Sequence, residues 1–375
     1  MAKEGVISTK PGSTDVDVLS GHLSKNGYPR ENIAINLRSP GYAEVWNRLT
    51  LDFDQASLAH APEWFTVIEK AYGHTPIYLQ AEEDQGQHGI LPAFLTRSRL
   101  FGTVLTSMPF LDTGGPCSSS AHLSKQMMNA LIERGRTLGV KWVEFRCTEK
   151  FDLPVTPLTD KISLVLSLPR DPDVLWRGLD AKVRNQVRKA QRSEMSYQLG
   201  GAELLSEFYD VFAVNMRDLG SPVHSINFFA AILDAFGDRA SIAIVRKGNI
   251  PVGGLLAIAF KHTFTVPWAS SLGQYRALCP NMLLYWETIQ AACQKGFSRF
   301  DFGRSTRDSG TCRFKRQWGA LEEPLYWYLI SIDGGQARPI SSSDTQGALL
   351  VHLWKRLPVS VTRWLGPRIR RCLPQ

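Results

Sequence analysis

The residues best suited to chemistry lie in Gly296–Gly319, GFSRFDFGRSTRDSGTCRFKRQWG, where a short apolar strand runs into glycine turns crowded with cations. Phe297, Phe300 and Phe302 surround Asp301 in a strand pattern, and Gly303 breaks it before Arg304, Ser305, Thr306 and Arg307. A second turn at Ser309-Gly310 releases Thr311–Trp318, in which Phe314 and Trp318 share a helical face while Arg313, Lys315 and Arg316 point elsewhere. A cation held near a strand end can stabilise charge that builds on a carbonyl oxygen under attack. The alternative is a strand, a loop and a solvated basic turn with no catalytic role.

Two more places are suited to anions. Asp171-Pro172-Asp173 marks a helix start, with a cap, a first-turn proline and an acid at the positive dipole end. Along this helical stretch Leu175, Leu179, Val183 and Val187 form a buried face, and Arg184, Arg188 and Arg192 form a parallel ladder. Like charges four apart cost a helix a few tenths of a kcal/mol per pair, about what an anionic partner such as phosphate would relieve; a solvated basic face is the alternative. Between Ala269 and Asn281 the chain leaves a strand for a helix and gathers Tyr275, Arg276 and Asn281 at that helix's N-terminus, a place where anions bind readily. Asn281 can equally be a helix cap. The matching loop earlier in the chain, Asp112-Thr113-Gly114-Gly115-Pro116, carries no lysine or arginine and is expected to be a structural turn.

The elements that must hold these residues follow one order twice. In the first half, helices at Tyr42–Leu49 and Pro62–Tyr72 precede strands at His74–Ala81, Gly89–Thr96 and Thr103–Met108, then a helix from about Ala121 to Leu138 and a strand at Lys141–Cys147. In the second, a helix from Pro172 and another around Leu204–Arg217 precede strands at Ser241–Val245, Val252–Phe260 and Thr263–Trp268, a helix near Met282–Lys295 and the strand Ser298–Phe302. Gly139 and Gly296 both end helices, and Glu144-Phe145 and Asp301-Phe302 both end the strands that follow, at the same offset of 157. The expected division is a mobile leader at 1–30, a first domain at 31–165, a second at 166–320, closing strands at 321–340 and a basic amphipathic tail at 341–375.

Composition narrows the function classes. The chain of 375 residues is 43% hydrophobic and 21% charged, ordinary for a folded two-domain protein. Of the net charge of +8, six come from Lys355, Arg356, Arg363, Arg368, Arg370 and Arg371, which no acid opposes between Thr345 and Gln375; the remaining +2 argues against a broad nucleic-acid surface, and no DNA partner is expected. Six scattered cysteines without C-x-x-C spacing and eight unpaired histidines point to reduced thiols, a cytoplasmic setting and no metal. No G-x-S-x-G, P-loop or G-x-G-x-x-G pattern occurs. Leu353, Trp354, Leu357, Val361, Trp364 and Leu365, mixed with the tail's bases, favour peripheral contact with an anionic membrane at its inner face; docking on the protein's own core is the alternative.

With its duplicated units, RNQVRKA (Arg184–Ala190), PNMLLYWETIQAA (Pro280–Ala292) and FDFGRST…GTCRFKRQWG, the chain resembles the FemAB family over about Ile33–Ile332. More narrowly it is similar to FemAB-like proteins associated with exosortase/PEP-CTERM systems, and its final segment WKRLP…LGPRIRRCLP also resembles the tail of that subgroup. The resemblance implies an α/β (α+β) fold of two tandem GNAT-like domains, each with a mixed, mostly antiparallel central sheet flanked by helices. It also implies transfer of an aminoacyl group from aminoacyl-tRNA to an amine of a peptidoglycan-type precursor. Phe314 and Lys315 match the family's Phe-Lys pair, which makes Lys315 the expected oxyanion stabiliser, with Asp301 able to orient or deprotonate the amine; Asp301 paired with Arg304 or Arg307 is the other possibility. No cofactor beyond the acyl donor is implied. GQYRALCPN departs from the usual acyl-CoA pyrophosphate loop, and Gln198–Asp238 lacks the long charged hairpin that some members use near tRNA. Two further readings stay open: acyl-CoA-dependent exopolysaccharide modification, and a non-catalytic scaffold for an anionic precursor.

Overall fold

In the computed structural model, residues 32–36, 42–83, 87–98, 102–333, 337 and 345–373 are described; the expected leader at 1–30 lies outside them. The first sheet contains β1 (Asn32–Asn36), β2 (Thr75–Glu83), β3 (Gln87–Ser98), β4 (Gly102–Thr106), β5 (Cys117–Ser118) and β6 (Trp142–Cys147). The second contains β7 (Lys161–Ser167), β8 (Met195–Gly200), β9 (Ala240–Lys247), β10 (Ile250–Phe260), β11 (Thr263–Ser271), β12 (Arg299–Thr306) and β13 (Leu321–Pro324). The last strand, β14 (Tyr326–Ser331), returns to the first sheet beside β6. The orders are β1-β2-β3-β4-β6-β14, with β5 on β3, and β13-β7-β12-β11-β10-β9-β8.

Each sheet is antiparallel except for one pair, β4 with β6 and β11 with β12. A parallel pair needs a crossover, and in both cases a helix supplies it. The helices are α1 (Tyr42–Asp52), α2 (Glu63–Tyr72), α3 (Ala121–Thr137), α4 (Pro172–Gly178), α5 (Ala181–Arg192), α6 (Leu205–Leu219), α7 (Ile226–Phe236), α8 (Pro280–Gln294), α9 (Gly310–Arg316), α10 (Thr345–Arg356) and α11 (Val359–Arg370). The crossovers are α3 and α8. The mixed α/β architecture with two mostly antiparallel, helix-flanked sheets is the one expected from the sequence.

Both parallel ladders are short. The first runs only through Leu105–Val143 and Thr106–Glu144, and the second stops at Thr265–Asp301. Beyond these threonine–acid pairs the strands no longer pair, so Glu144 and Asp301 mark the same point in the two sheets. The duplication is therefore carried by register as well as by element order.

The short strands β1 and β5 were not anticipated, nor were three further elements. β7 has the alternation of a strand in KISLVLS; it belongs wholly to the second sheet and straddles the expected 165/166 division. β8 is a short edge strand on β9. INFFAAILDAF, which forms α7, is interrupted only by Asn227 and Asp234; Phe228, Phe229, Ile232, Leu233 and Phe236 form its buried face, and Ile226, Asn227, Ala230 and Asp234 stay exposed. Trp64 of α2 meets Phe236 of α7 at 5.0 Å, which joins the halves through one aromatic core.

The tail packs on the body. α10 and α11 both lie against α6; Trp354, Thr362 and Gly366 are buried, and Val359 packs against the core to which α2, α6 and α7 contribute.

Candidate functional site

Gly303 sets the local geometry of β12. Its φ of +71° lies in the left-handed region, where a side chain is strained, and pairing with β7 shifts register between Asp301 and Arg304. The bulge turns a backbone N–H inward, and Asp301 Oδ1 accepts it at 2.8 Å, together with the Ser163 hydroxyl at 2.9 Å. Burial pushes the Asp301 carboxyl up to about 6; the nearby Asp112 carboxylate adds to this, while the two hydrogen bonds and the Lys315 ammonium oppose it.

The bulge also frees the carbonyls of Gly303 and Arg304, and Lys315 Nζ donates to both at 2.8 Å. Ser309 caps α9 by accepting from the Cys312 N–H at 3.1 Å, and Phe314 packs edge-on against Tyr285 and Trp318. These contacts hold Lys315 in place, and it is only 8% exposed. Burial lowers its ammonium to about 8, against the pull of the Asp112 and Asp301 carboxylates. An ammonium has three N–H donors, so one remains beyond the two carbonyls. The side chain is thus a tie across the strand exit as much as a free cation.

Asp112 comes from the first half. The loop expected to be a simple turn crosses to β12, where Asp112 Oδ2 accepts the Arg304 N–H at 2.9 Å and Oδ1 pairs with Arg304 Nε at 3.2 Å. Trp327 of β14 donates from Nε1 to the Asp112 carbonyl at 3.1 Å, and the guanidinium groups of Arg304 and Arg146 lie 5.0 and 4.5 Å from its ring. Sequence spacing could not have found Asp112, because its partner is 192 residues away. Between the halves opens a cleft of about 680 Å³, with Asp112, Phe110 and Gln55 on one wall and Asp301, Thr265 and Lys261 on the other.

The expected site residues therefore divide into groups. Asp301, Arg304 and Lys315 converge, with the Arg304 guanidinium engaged by Asp112 rather than by Asp301. Ser305 follows in the strand, buried, and its hydroxyl has no hydrogen-bond partner among the described residues. Arg307 pairs with Glu322 at 2.7 Å at the surface. Arg184 and Arg188 lie on α5, away from the described cleft: Arg184 donates to the carbonyls of Arg177 and Leu179 at the end of α4, and Arg188 lies over Trp176 at 5.5 Å. Both side chains are thus already engaged within the protein.

Tyr275 and Arg276 occupy a short turn before α8, and Asn281 lies inside its first turn. The N-cap position is held by Cys279, in the left-handed region and without a side-chain cap, so Asn281 is not the cap. The matching end of α3 is capped by Ser120, which accepts the Leu123 N–H at 3.1 Å.

Residues 178–316 match the model of an acetyltransferase (GNAT) domain. None of the curated proteins matches the chain. Among solved structures the fold is similar to FemX, at 13% identity and a TM-score of 0.58, covering 86% of this chain and all of that one. A tandem GNAT protein from the clavulanic acid biosynthesis pathway follows at 9% identity and a TM-score of 0.51, covering 83% of this chain and all of its own. A C-terminal domain assigned to a lysylphosphatidylglycerol synthetase from Agrobacterium fabrum is 10% identical, with a TM-score of 0.50, covering 76% of this chain and 90% of its own. At these identities the likeness is one of fold, a FemAB-like tandem GNAT architecture. With the domain match, acyl transfer is the reaction class of this chain.

Proposed function

We propose that the chain is a cell-envelope N-acyltransferase that delivers an aminoacyl or acyl group to an amine of a peptidoglycan-type or lipid- or sugar-linked precursor. The observation that carries the reading is Asp301: a carboxylate with its proton affinity raised toward neutrality, at the end of a parallel ladder and in the wall of a cleft. The likeness to FemX and to the lysylphosphatidylglycerol synthetase domain favours an envelope acceptor. Association with an exosortase/PEP-CTERM system rests on sequence resemblance.

In the proposed step the neutral amine attacks the donor carbonyl, forming an N–C bond and breaking the ester C–O or thioester C–S bond. The amine proton passes to the Asp301 carboxylate and from there to the leaving oxygen or sulfur, which departs as an alcohol or thiol while Asp301 returns to the carboxylate. Lys315 fixes the bulge that aims Asp301, and its third N–H is the donor assigned to the developing oxyanion. Phe314 keeps α9 seated.

The second reading, an acyl-CoA donor, is favoured by the N-terminus of α8, where no side chain caps the N–H groups and Tyr275 and Arg276 stand beside them. The test incubates purified protein with aminoacyl-tRNA or acyl-CoA and extracted envelope precursors, and seeks a new amide mass. Ribonuclease sensitivity supports the tRNA donor and saturable CoA binding the other. No new amide with either donor, from folded protein, would overturn the proposal.

A further inference from the structure

Two tail bases are used to hold the tail on the body. Arg363 pairs with Asp210 of α6, and Arg370 Nε donates to His224 Nε2 at 3.1 Å, while His224 Nδ1 meets Tyr72 Oη at 2.6 Å. Gly366 sits so close to Val223 that a Cβ there would come within 2.9 Å of it. The inward faces of α10 and α11 are therefore settled by contacts with the protein itself.

The outward faces are not covered in the same way. Leu349, Leu350 and Leu353 fall on one side of α10 and are 60%, 68% and 51% exposed, and Trp364 of α11 is 63% exposed, with Val361 three residues before it. Two bases, Arg356 and Arg368, are exposed on these faces as well, and Arg368 stacks on Trp364 at 4.1 Å; Lys355 and Arg371 lean on Gly220 and Gly73 of the body instead. No aspartate or glutamate occurs from Thr345 to Gln375.

We infer that the free side of the α10–α11 hairpin is a docking surface for an anionic lipid bilayer, with Leu350 and Trp364 entering the headgroup region and Arg356 and Arg368 meeting lipid phosphates. The combination selects this partner. Apolar side chains that protrude among unopposed cations match the layered chemistry of a membrane interface, where apolar burial and attraction to anionic lipid act together. A polyanion such as RNA would satisfy the bases alone and leave the leucines in water. No described helix is long and apolar enough to cross a membrane, so the contact is peripheral. The inference refines the envelope reading by giving the cleft an orientation, because Arg370 at the hairpin's end lies 5.7 Å from the ring of Phe110 in the cleft wall.

The test is co-sedimentation of the full chain with phosphatidylcholine vesicles with and without phosphatidylglycerol. It uses no acyl donor, so its failure is distinct from failure of the transferase reading. Binding is expected only to the anionic vesicles and is expected to weaken with salt. Arg356→Ala and Arg368→Ala should each lower partitioning by about five-fold, and Leu350→Glu with Trp364→Glu by about ten-fold or more; these positions are exposed, and unchanged melting curves verify the fold. Equal binding to neutral vesicles, or variants that sediment like the parent, would overturn the inference. So would a dimer in light scattering that Trp364→Glu dissolves, which assigns the face to a second copy, or tRNA binding through the same bases with no vesicle binding.

Discussion

Glu144 and Asp301 occupy equivalent points of two sheets, each opposite the last threonine of a short parallel ladder, yet the residue two positions further on differs. Two positions after Glu144 stands Arg146, fully buried, whose Nε donates to Glu144 at 2.8 Å and whose Nη1 donates to the Leu111 carbonyl at 2.5 Å. Two positions after Asp301 stands Gly303, which offers only a backbone N–H. The first half fills its strand exit with an ion pair; the second leaves a carboxylate whose proton affinity is raised and which faces the larger cleft, about 680 against 220 Å³. On the proposed reading, the duplicated fold has turned one exit into scaffold and kept the other for chemistry.

The strongest way to break this comparison is to neutralise the two acids in turn. Asp301→Asn should lower kcat by about 10²–10⁴-fold with little loss of stability, measured by amide formation beside a thermal melt. Equal activity would remove Asp301 from the reaction. Lys315→Met should lower kcat by about 10²–10³-fold if its third N–H meets the oxyanion. Leaving the Gly303 and Arg304 carbonyls unpaired should also cost about 1–3 kcal/mol each. A stability loss with kcat intact would give Lys315 a positioning role alone.

Glu144→Gln tests the opposite arm. Removing one partner strands a buried guanidinium and should destabilise by about 3–5 kcal/mol, seen as an earlier denaturant midpoint, while the folded fraction keeps its rate. A large rate loss without unfolding would make the first exit a reaction site as well. Ser309→Ala, which removes the cap of α9, should cost about 1 kcal/mol and leave the Asp301 limb of the pH profile in place.

Much of this contrast was legible in the sequence. The duplication was visible in helix-ending glycines and strand-ending acids, and the stretch around Gly303 stood out because glycine and cations interrupt an apolar strand. What could not be read is long-range. Asp112 reads as part of a turn because nothing local marks a carboxylate whose partner is Arg304, and α7 is hard to read because only Asn227 and Asp234 interrupt its apolar run, although the folded helix buries one face and exposes the other. The arginine ladder was legible, but the use of Arg184 on α4 carbonyls depends on how two short helices meet.

The pH dependence of kcat is the most direct test of the claim that Asp301 is the working base beside a charged Lys315. Asp301 must be ionised and Lys315 protonated, so activity should rise through about 6 and fall through about 8, with the acid limb absent from the residual activity of Asp301→Asn. A rate that is flat through that range, or an acid limb that persists in the variant, would contradict the account.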